Sequence, residues 1–273
     1  MHSRISRNQL EELQKLLKER DLQILQSIQA YRYLTTNQIR RLHVTDTSTK
    51  TVGLRATTRN LHKLQQLKLI DHMKRRIGGI HPGSSSFVWR LASAGEHLLR
   101  LSEKGTRPHH RRFEPSTYFL AHTLSVAEAA IRITELSRTH KVQLSHLEHE
   151  PTSWRSYHAG GKIVNLKPDL FAITRLDGYE DHWFFEIDLS TESLAKISEK
   201  CGRYLEYYRS GLEQKLRGIF PLVVWLVLDD RRKSLFIEHL QKAFPQHQRV
   251  FQVITASELE LLLQQKIPLK SSI

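Results

Sequence analysis

The stretch FFEIDLST, residues 184–191, places two carboxylates inside an otherwise apolar run. Side chains alternate across a β-strand, so Glu186 and Asp188 share one face while Phe185 and Ile187 share the other. Two acids this close in a partly dry site raise each other's pKa unless a positive charge offsets the repulsion. That charge is supplied either by a divalent metal ion or by a neighbouring Lys or Arg side chain.

A third acid is expected to join them from the preceding strand. The segments KPDLFAITR and HWFFEIDLS read as paired strands, with LDGYED between them as the turn. If the turn centres near Gly178 and Tyr179, Asp169 lies roughly opposite Asp188 and within diagonal reach of Glu186. The sequence therefore predicts three converging carboxylates.

Such a cluster suits a hard divalent cation, because magnesium prefers oxygen ligands and is commonly held by a few carboxylates. The expected Mg²⁺ ligands are Asp169, Glu186 and Asp188. The alternative is that the acids pair with nearby cations, which orients the strands without catalysis. The cations available for this are Lys167, Lys200 and Arg203.

The surrounding pattern predicts the scaffold that would position these acids. A helix over residues 117–139 precedes the strand VQLSHLEHE and the two paired strands. A helix from about Glu192 to Tyr208 follows, and then the strand PLVVWLVL, a helix in RRKSLFIEHLQKAF, the strand RVFQVIT and a helix in ASELELLLQQ. Strands interleaved with helices in this way indicate a mixed sheet covered by helices.

The net charge belongs to the other end of the chain. Residues 1–113 hold 22 Lys and Arg against 8 Asp and Glu, a net charge of +14, which is that of the whole chain. Residues 114–273 hold 20 basic and 20 acidic residues and are neutral. A basic module joined to a neutral one predicts that the first module binds a polyanion, and duplex DNA is the expected partner. The alternative is a basic surface that serves solubility alone.

Two helices separated by LTTNQ, with Thr35 or Thr36 as the N-cap, are followed by a third helix in TVGLRATTRNLHKLQQLK. This spacing is typical of a helix-turn-helix, whose last helix enters the major groove. The side chains expected to face DNA are Arg55, Thr58, Arg59 and His62. The buried stripe is expected to be Leu54, Leu61, Leu64 and Leu67.

The segments LIDHMKRRIGG and SSSFVWRLASAG read as two strands of a wing, joined by a Gly, Pro and Ser-rich loop. Lys74, Arg75 and Arg76 at its base are expected to contact phosphates. Leu98, Leu99 and Leu101 are expected to close a short helix against the module. An amphipathic segment at residues 7–20 suggests a pairing helix for a homodimer.

These features predict a winged-helix domain at residues 1–101, a polar linker at 102–116 and an α/β domain at 117–273. The N-terminus lacks the apolar segment of a secretory signal and no 18-residue apolar run occurs, so we expect a cytosolic protein without membrane partners. The single cysteine, Cys201, excludes an internal disulfide and a cysteine-rich zinc site.

Pro168-Asp169, separated by sixteen residues from Glu186-Ile187-Asp188, resembles the motif of the PD-(D/E)XK nuclease superfamily. The resemblance implies a restriction-endonuclease-like fold, in which the aspartate and the glutamate hold metal and a lysine two residues later positions water. Asp188 stands at that lysine position here. Lys196 and Lys200, on the next helix, are the residues that could supply the amine, so the implied catalytic set is Asp169, Glu186, Asp188 and Lys200.

The order of several segments over residues 20–255 is similar to the replication-relaxation family of plasmids and integrative elements. They are YLTTNQIRRL, RNLHKLQQLKLI, FVWRLASAGEHLL, YFLAHTLSV, KPDLFAI, FFEIDLST and the pair Lys200 and Tyr204. The resemblance implies a DNA-binding accessory factor in replication, relaxation or mobilisation, with that machinery as partners and a nuclease-like domain used for binding. Two alternatives stay open, a Mg²⁺-dependent sequence-directed endonuclease and a transcriptional regulator.

Overall fold

The fold was taken from a computed structural model, which describes residues 6–73, 87–102, 114–139 and 141–266. It is a mixed α/β structure, and the chain divides into two compact units, residues 1–131 and 132–273. Within the described residues, no helix is both long enough and apolar enough to cross a membrane.

The first unit contains most of the helices that precede the main sheet. Its elements are α1 (Arg7–Leu16), α2 (Glu19–Tyr31), β1 (Leu34–Thr35), α3 (Thr36–His43), α4 (Lys50–Gln66), β2 (Ile70–His72), β3 (Val88–Leu91), α5 (Ser93–Ser102) and the start of α6 (Thr117–Arg138). The three short strands form an antiparallel sheet in the order β1-β3-β2.

Helix α3 begins where the sequence predicts, because Thr35 is its N-cap. The Thr35 hydroxyl accepts a hydrogen bond from the Gln38 backbone N–H at 3.2 Å, and the Gln38 side chain accepts one from the Thr35 N–H at 3.0 Å. This reciprocal capping box satisfies two backbone donors that the first turn of a helix leaves unpaired. It fixes the break between α2 and α3.

The core of the first unit follows the predicted stripes with some differences. In α4, Leu61 and Leu64 are buried, while Leu54 and Leu67 are only partly buried. The buried surface of α4 is completed by Gly53 and Thr57 instead. The pattern of leucines locates the buried side of α4 but misses the small residues that allow close packing.

Two further expectations in this unit need correction. Leu98 and Leu99 are buried as predicted, but Leu101 is 41% exposed, because α5 turns it away from the side that carries the other two leucines. Leu10 of the suggested pairing helix is buried, since α1 packs against α5 of the same unit.

The boundary between the units lies later than the predicted domain start at residue 117. The first half of α6 packs on the first unit, where Leu120 is buried against Met73 and Val88. Glu128, further along α6, accepts hydrogen bonds from Arg41 at 2.6 Å. The compact units therefore divide within α6, and most of the predicted linker, residues 103–113, lies outside the described residues.

The second unit is built around a five-stranded mixed sheet. Its elements are β4 (Gln143–His149), β5 (Arg155–Ala159), β6 (Lys162–Leu166), β7 (Leu170–Leu176), β8 (Tyr179–Asp188), α7 (Leu194–Ser210), α8 (Leu212–Arg217), β9 (Leu222–Val227), α9 (Asp230–Ala243), β10 (Phe251–Thr255) and α10 (Leu259–Leu263). The strand order is β10-β9-β8-β7-β4, with β10, β9 and β8 parallel and β8, β7 and β4 antiparallel. The prediction of a mixed sheet interleaved with helices is confirmed.

The hairpin of β5 and β6 was not predicted. These strands pair with each other only, as a separate two-stranded sheet between β4 and β7 in the chain. Their turn is Gly160-Gly161, and both glycines have positive φ values of 55° and 75°. Two adjacent glycines suit the left-handed backbone of a tight hairpin turn, which is the signal that locates this element.

The turn between β7 and β8 differs from the prediction by a register shift. Leu176 pairs with Tyr179, so the turn consists of Asp177 and Gly178, with φ values of 49° and 86°. Positive φ at both central residues is the geometry of a two-residue hairpin turn, and Asp-Gly favours it. The predicted turn around Gly178 and Tyr179 was wrong because the Asp-Gly pair fixes the reversal one residue earlier.

The core of this unit lies where α7 and α9 pack on the sheet. Phe184 and Trp225 from the sheet are buried with Ile197 of α7 and Phe236 of α9. Trp183, on the other face of β8, is buried as well. Helix α7 thus lies over the face of β8 that carries Phe184 and, two residues on, Glu186.

Candidate functional site

Glu186 lies near the end of β8, in the centre of the sheet, and its side chain is completely buried. Both of its carboxylate oxygens are hydrogen-bonded by side chains from α7. Lys200 Nζ donates to Oε2, and Tyr204 Oη donates to Oε1 at 2.5 Å. Residues four apart lie on one face of a helix, so Lys200 and Tyr204 reach the same acid.

Asp169 stands immediately before β7 and is 5% exposed. Its backbone N–H donates to the Phe185 carbonyl at 3.1 Å, and its Oδ2 accepts from the Ile187 backbone N–H at 2.7 Å. Because Leu170 pairs with Phe185, Asp169 is placed beside Glu186. The expectation that Asp169 would lie opposite Asp188 was wrong, because the chain reverses at Asp177-Gly178, one residue earlier than expected.

The electrostatics of this cluster follow from burial and from the Lys200 charge. Burial and the nearby Asp169 charge act to raise the pKa of Glu186, and the bound Lys200 ammonium acts to lower it, so the pair is a carboxylate held by an ammonium. Burial alone would lower the pKa of Lys200, but the charges of Glu186 and Asp169 outweigh this and raise it overall. Burial also raises the pKa of Tyr204 well above its ordinary value. Lys200 therefore stays protonated and Tyr204 stays a neutral donor.

Asp188 has different partners, although it shares a strand face with Glu186. Arg232 of α9 donates from Nε to Asp188 Oδ2 at 2.6 Å and from Nη2 to Oδ1 at 3.3 Å. The Ser190 backbone N–H donates to the same Oδ1 at 3.1 Å. A guanidinium thus neutralises Asp188 at the carboxyl end of β8.

Arg232 was not predicted as a site residue. Its only local signal is the charged start of α9, DDRRK. Strands β8 and β9 are parallel, with Asp188 paired to Val227, so the connection from β9 to α9 leaves the sheet beside Asp188. That adjacency is a property of strand order and could not be read from spacing.

The donor groups here do not fit a resident divalent cation. Glu186 is held by Lys200 and Tyr204, and Asp188 is held by Arg232. In the described part of the chain, no group of three or more His, Cys, Asp or Glu side chains is arranged to hold a metal ion. Binding of Mg²⁺ by Asp169, Glu186 and Asp188 therefore stays a prediction, and it would require these acids to leave their present partners.

Of the basic residues expected near the acids, Lys200 is the one that contacts Glu186. Arg203 pairs with Glu199 on the same helix at 2.5 Å, and the Lys167 ammonium lies 4.3 Å from the centre of the Trp154 ring. Lys196 is exposed. The cluster of Asp169, Glu186, Lys200 and Tyr204, together with the pair of Asp188 and Arg232, is called the carboxylate cluster below.

The first unit carries the other predicted site, on helix α4. The four side chains expected to face DNA are all exposed: Arg55, Thr58, Arg59 and His62. Helix α4 contains no acidic residue, and its first turn is Lys50-Thr51-Val52. Lys74, Arg75 and Arg76, the predicted phosphate contacts at the wing, lie outside the described residues.

Some basic side chains of this unit form ion pairs with acids, and others do not. Lys63, on another face of α4, pairs with Asp21 at 2.6 Å, and Arg41 pairs with Glu128 at 2.6 Å. In the portion of the chain that the structure describes, neither Arg55 nor Arg59 has an ion pair or side-chain hydrogen bond. The exposed face of α4 therefore keeps its positive charge.

Comparison with known families identifies the chain. A family model described as replication-relaxation matches residues 25–223. The chain belongs to the replication-relaxation family. No curated protein matches it, and no solved structure matches it either.

In this replication-relaxation protein the matched region contains both candidate sites in large part. The matched region includes all of α4. It also includes four residues of the carboxylate cluster, which are Asp169, Glu186, Lys200 and Tyr204. Arg232 lies beyond residue 223, so the neutralisation of Asp188 comes from outside the matched region.

Proposed function

We propose that this replication-relaxation protein binds duplex DNA through a winged helix-turn-helix in its first unit, as an accessory factor in the replication or relaxation of a plasmid or integrative element. The single observation that carries the proposal is the exposed face of α4, which bears Arg55, Thr58, Arg59 and His62 without acidic neighbours on the helix. Membership of the family supports the biological setting.

The order of elements supports the winged arrangement. Helices α2 and α3 are followed by α4, and then by β2 and β3, which pair as an antiparallel hairpin with β1 on the other side of β3. In a helix-turn-helix the last helix enters the major groove, which is wide enough to admit it. Helix α4, with 17 residues, is the longest helix that lies wholly in this unit and is the one proposed to enter the groove.

The charge on α4 supports contact with phosphates and base edges. Arginine is suited to both, because its planar guanidinium binds phosphate or the O6 and N7 atoms of guanine in a bidentate manner. Since Arg55 and Arg59 have no intramolecular partner among the described residues, DNA binding would not have to break an existing ion pair. Lys50 adds a third cation at the start of the helix.

For the second unit we propose a nuclease-like sheet that no longer cleaves DNA. The carboxylates that resemble a PD-(D/E)XK site are buried and are neutralised by Lys200 and Arg232. An ammonium and a guanidinium bound in this way offset the charges of Glu186 and Asp188, which a metal ion would otherwise have to offset. The second unit is proposed to serve binding, with partners in the replication or relaxation machinery.

The alternative, a metal-dependent DNA endonuclease, is favoured by one observation. Lys200 lies with Asp169 and Glu186 in a single cluster, which is the residue combination that the superfamily resemblance implies, with the lysine moved to α7. Cleavage would require Lys200 to release Glu186. Incubation of the protein with supercoiled plasmid, with and without Mn²⁺ and beside a Glu186→Gln variant, decides between the two. Metal-dependent nicking that the variant lacks would establish the endonuclease.

The proposed DNA binding is tested by fluorescence anisotropy with a labelled duplex over a range of salt concentrations. Arg55→Ala and Arg59→Ala are each expected to weaken binding and to lower the slope of log K against log salt by roughly one unit, because each lost phosphate contact releases one counterion fewer. The matched control is Arg203→Ala, which removes an arginine that is 50% exposed and paired with Glu199 in the second unit. Equal effects of all three variants would remove α4 as the binding surface.

A further inference from the structure

Val52 interrupts the polar face of α4. It is 45% exposed, and it lies three and seven residues before Arg55 and Arg59, so these three side chains share one face of the helix. With Thr49 as the N-cap, Val52 is the third residue of the helix and belongs to its first turn. A branched apolar side chain is thus presented to solvent on the helix face that also carries Arg55 and Arg59.

Within the described residues, Val52 does not belong to the buried side of α4. The buried side of α4 is formed by Gly53, Thr57, Leu61 and Leu64, and Val52 points away from it. A β-branched residue also lowers helix propensity, so an exposed position in a first turn would be served better by a straight-chain or polar side chain. A function in binding explains both its type and its exposure.

We propose that Val52 is a specificity-determining residue, which contacts the 5-methyl group of a thymine in the major groove. This inference rests on the proposed DNA binding by α4. The thymine methyl is the one apolar group that a base pair presents in that groove, and small apolar side chains contact it. The first turn of a recognition helix is the part that approaches base edges.

The charges near Val52 favour DNA over an apolar protein surface as the binding partner of this face of α4. Arg55 and Arg59, on the same face as Val52, complement the phosphates that flank a groove, and their charge opposes an apolar protein surface, which would have to desolvate them. A valine on the same helix face as two arginines is therefore suited to a polyanion that displays isolated methyl groups.

The test begins with selection of duplexes from a random-sequence library by the full-length protein. In the recovered duplex each thymine is replaced in turn by uracil, which removes only the methyl group, and affinity is measured for wild type and Val52→Ala. Wild type is expected to lose about fourfold in affinity at one thymine, the amount that burial of a single methyl group contributes. Val52→Ala is expected to bind the thymine and uracil duplexes equally.

The controls separate this inference from the function on which it rests. Alanine has a higher helix propensity than valine, so Val52→Ala is expected to fold normally. Leu16→Ala, at an apolar residue of α1 that is 62% exposed, is expected to keep the wild-type difference between thymine and uracil. If Val52→Ala also keeps that difference while Arg55→Ala weakens binding, the role of Val52 is excluded and DNA binding by α4 stands. If the wild-type protein retains no duplex, both the role of Val52 and DNA binding by α4 are excluded.

Discussion

Arg232 and Asp188 are joined by two hydrogen bonds, from Nε to Oδ2 at 2.6 Å and from Nη2 to Oδ1 at 3.3 Å. Arg232 also donates from Nη2 to the Glu192 carbonyl at 2.7 Å, so one guanidinium ties the end of β8 and the segment before α7 to the start of α9. Its position explains how the buried Asp188 carboxylate is tolerated at the end of β8.

Replacement of Arg232 by methionine is expected to lower the free energy of unfolding by about 3–5 kcal/mol, because it leaves the fully buried Asp188 side chain without its countercharge. Chemical denaturation followed by circular dichroism measures the loss. Arg203→Met, which breaks an exposed pair with Glu199, is the control and is expected to cost about 1 kcal/mol or less. Equal losses in the two variants would contradict a structural role for the Asp188 pair.

Lys200→Met is expected to destabilise the second unit by a comparable amount, about 3–5 kcal/mol, because Glu186 and Asp169 then lack a cation. The double variant Lys200→Met with Glu186→Gln is expected to recover much of this loss, since the uncompensated buried charge is gone. Lys196→Met, at an exposed position one turn earlier, is the matched control. If the double variant is no more stable than Lys200→Met alone, the ammonium does not act by neutralising Glu186.

Two glycines in helices are expected to respond in opposite directions to alanine. A Cβ on Gly95 of α5 would lie 2.2 Å from the Leu69 carbonyl oxygen, so Gly95→Ala is expected to destabilise the first unit by about 1–3 kcal/mol. A Cβ on Gly202 of α7 would meet no atom within 4 Å, so Gly202→Ala is expected to stabilise the second unit by up to about 1 kcal/mol.

Local hydrogen exchange, read separately for α5 and α7, assigns each of these changes to its unit. An increase in protection of α5 in Gly95→Ala would mean that the close approach between α5 and the Leu69 backbone is absent in solution.

His149, at the end of β4, is expected to make the protein sensitive to acid. Burial lowers its pKa from 6.5 to about 4, so the unfolded chain binds a proton in the interval where the folded protein does not. Its contribution to stability is present above pH 6.5 and is lost as the pH falls towards 4, by about 3 kcal/mol at 1.36 kcal/mol per pKa unit.

The measurement is the free energy of unfolding at intervals between pH 7 and pH 4. His149→Gln is expected to flatten the decline over this interval, whereas His158→Gln, at an exposed position of β5, is expected to leave it unchanged. A decline of the same size in wild type and His149→Gln would assign the acid sensitivity to other groups.

The second unit shows which parts of a fold are local enough to be predicted. The apolar runs of β8 and β9 and the helical periodicity of α6, α7 and α9 locate these elements to within a few residues of their observed bounds. The hairpin of β5 and β6 was missed because its strands are short and partly exposed, so their apolar alternation is weak.

The sequence by itself determined the division into a basic and a neutral part, an N-cap at Thr35 or Thr36, the exposed arginines of α4 and the presence of Glu186 and Asp188 on one strand face. These follow from composition and from the periods of helix and strand, which act over a few residues. Tertiary structure decided the register of the β7–β8 hairpin, and so which acid Asp169 lies beside, and it brought Arg232 to Asp188. Both depend on which strands become neighbours, a choice made by packing of the whole sheet and recorded in no single stretch of the chain.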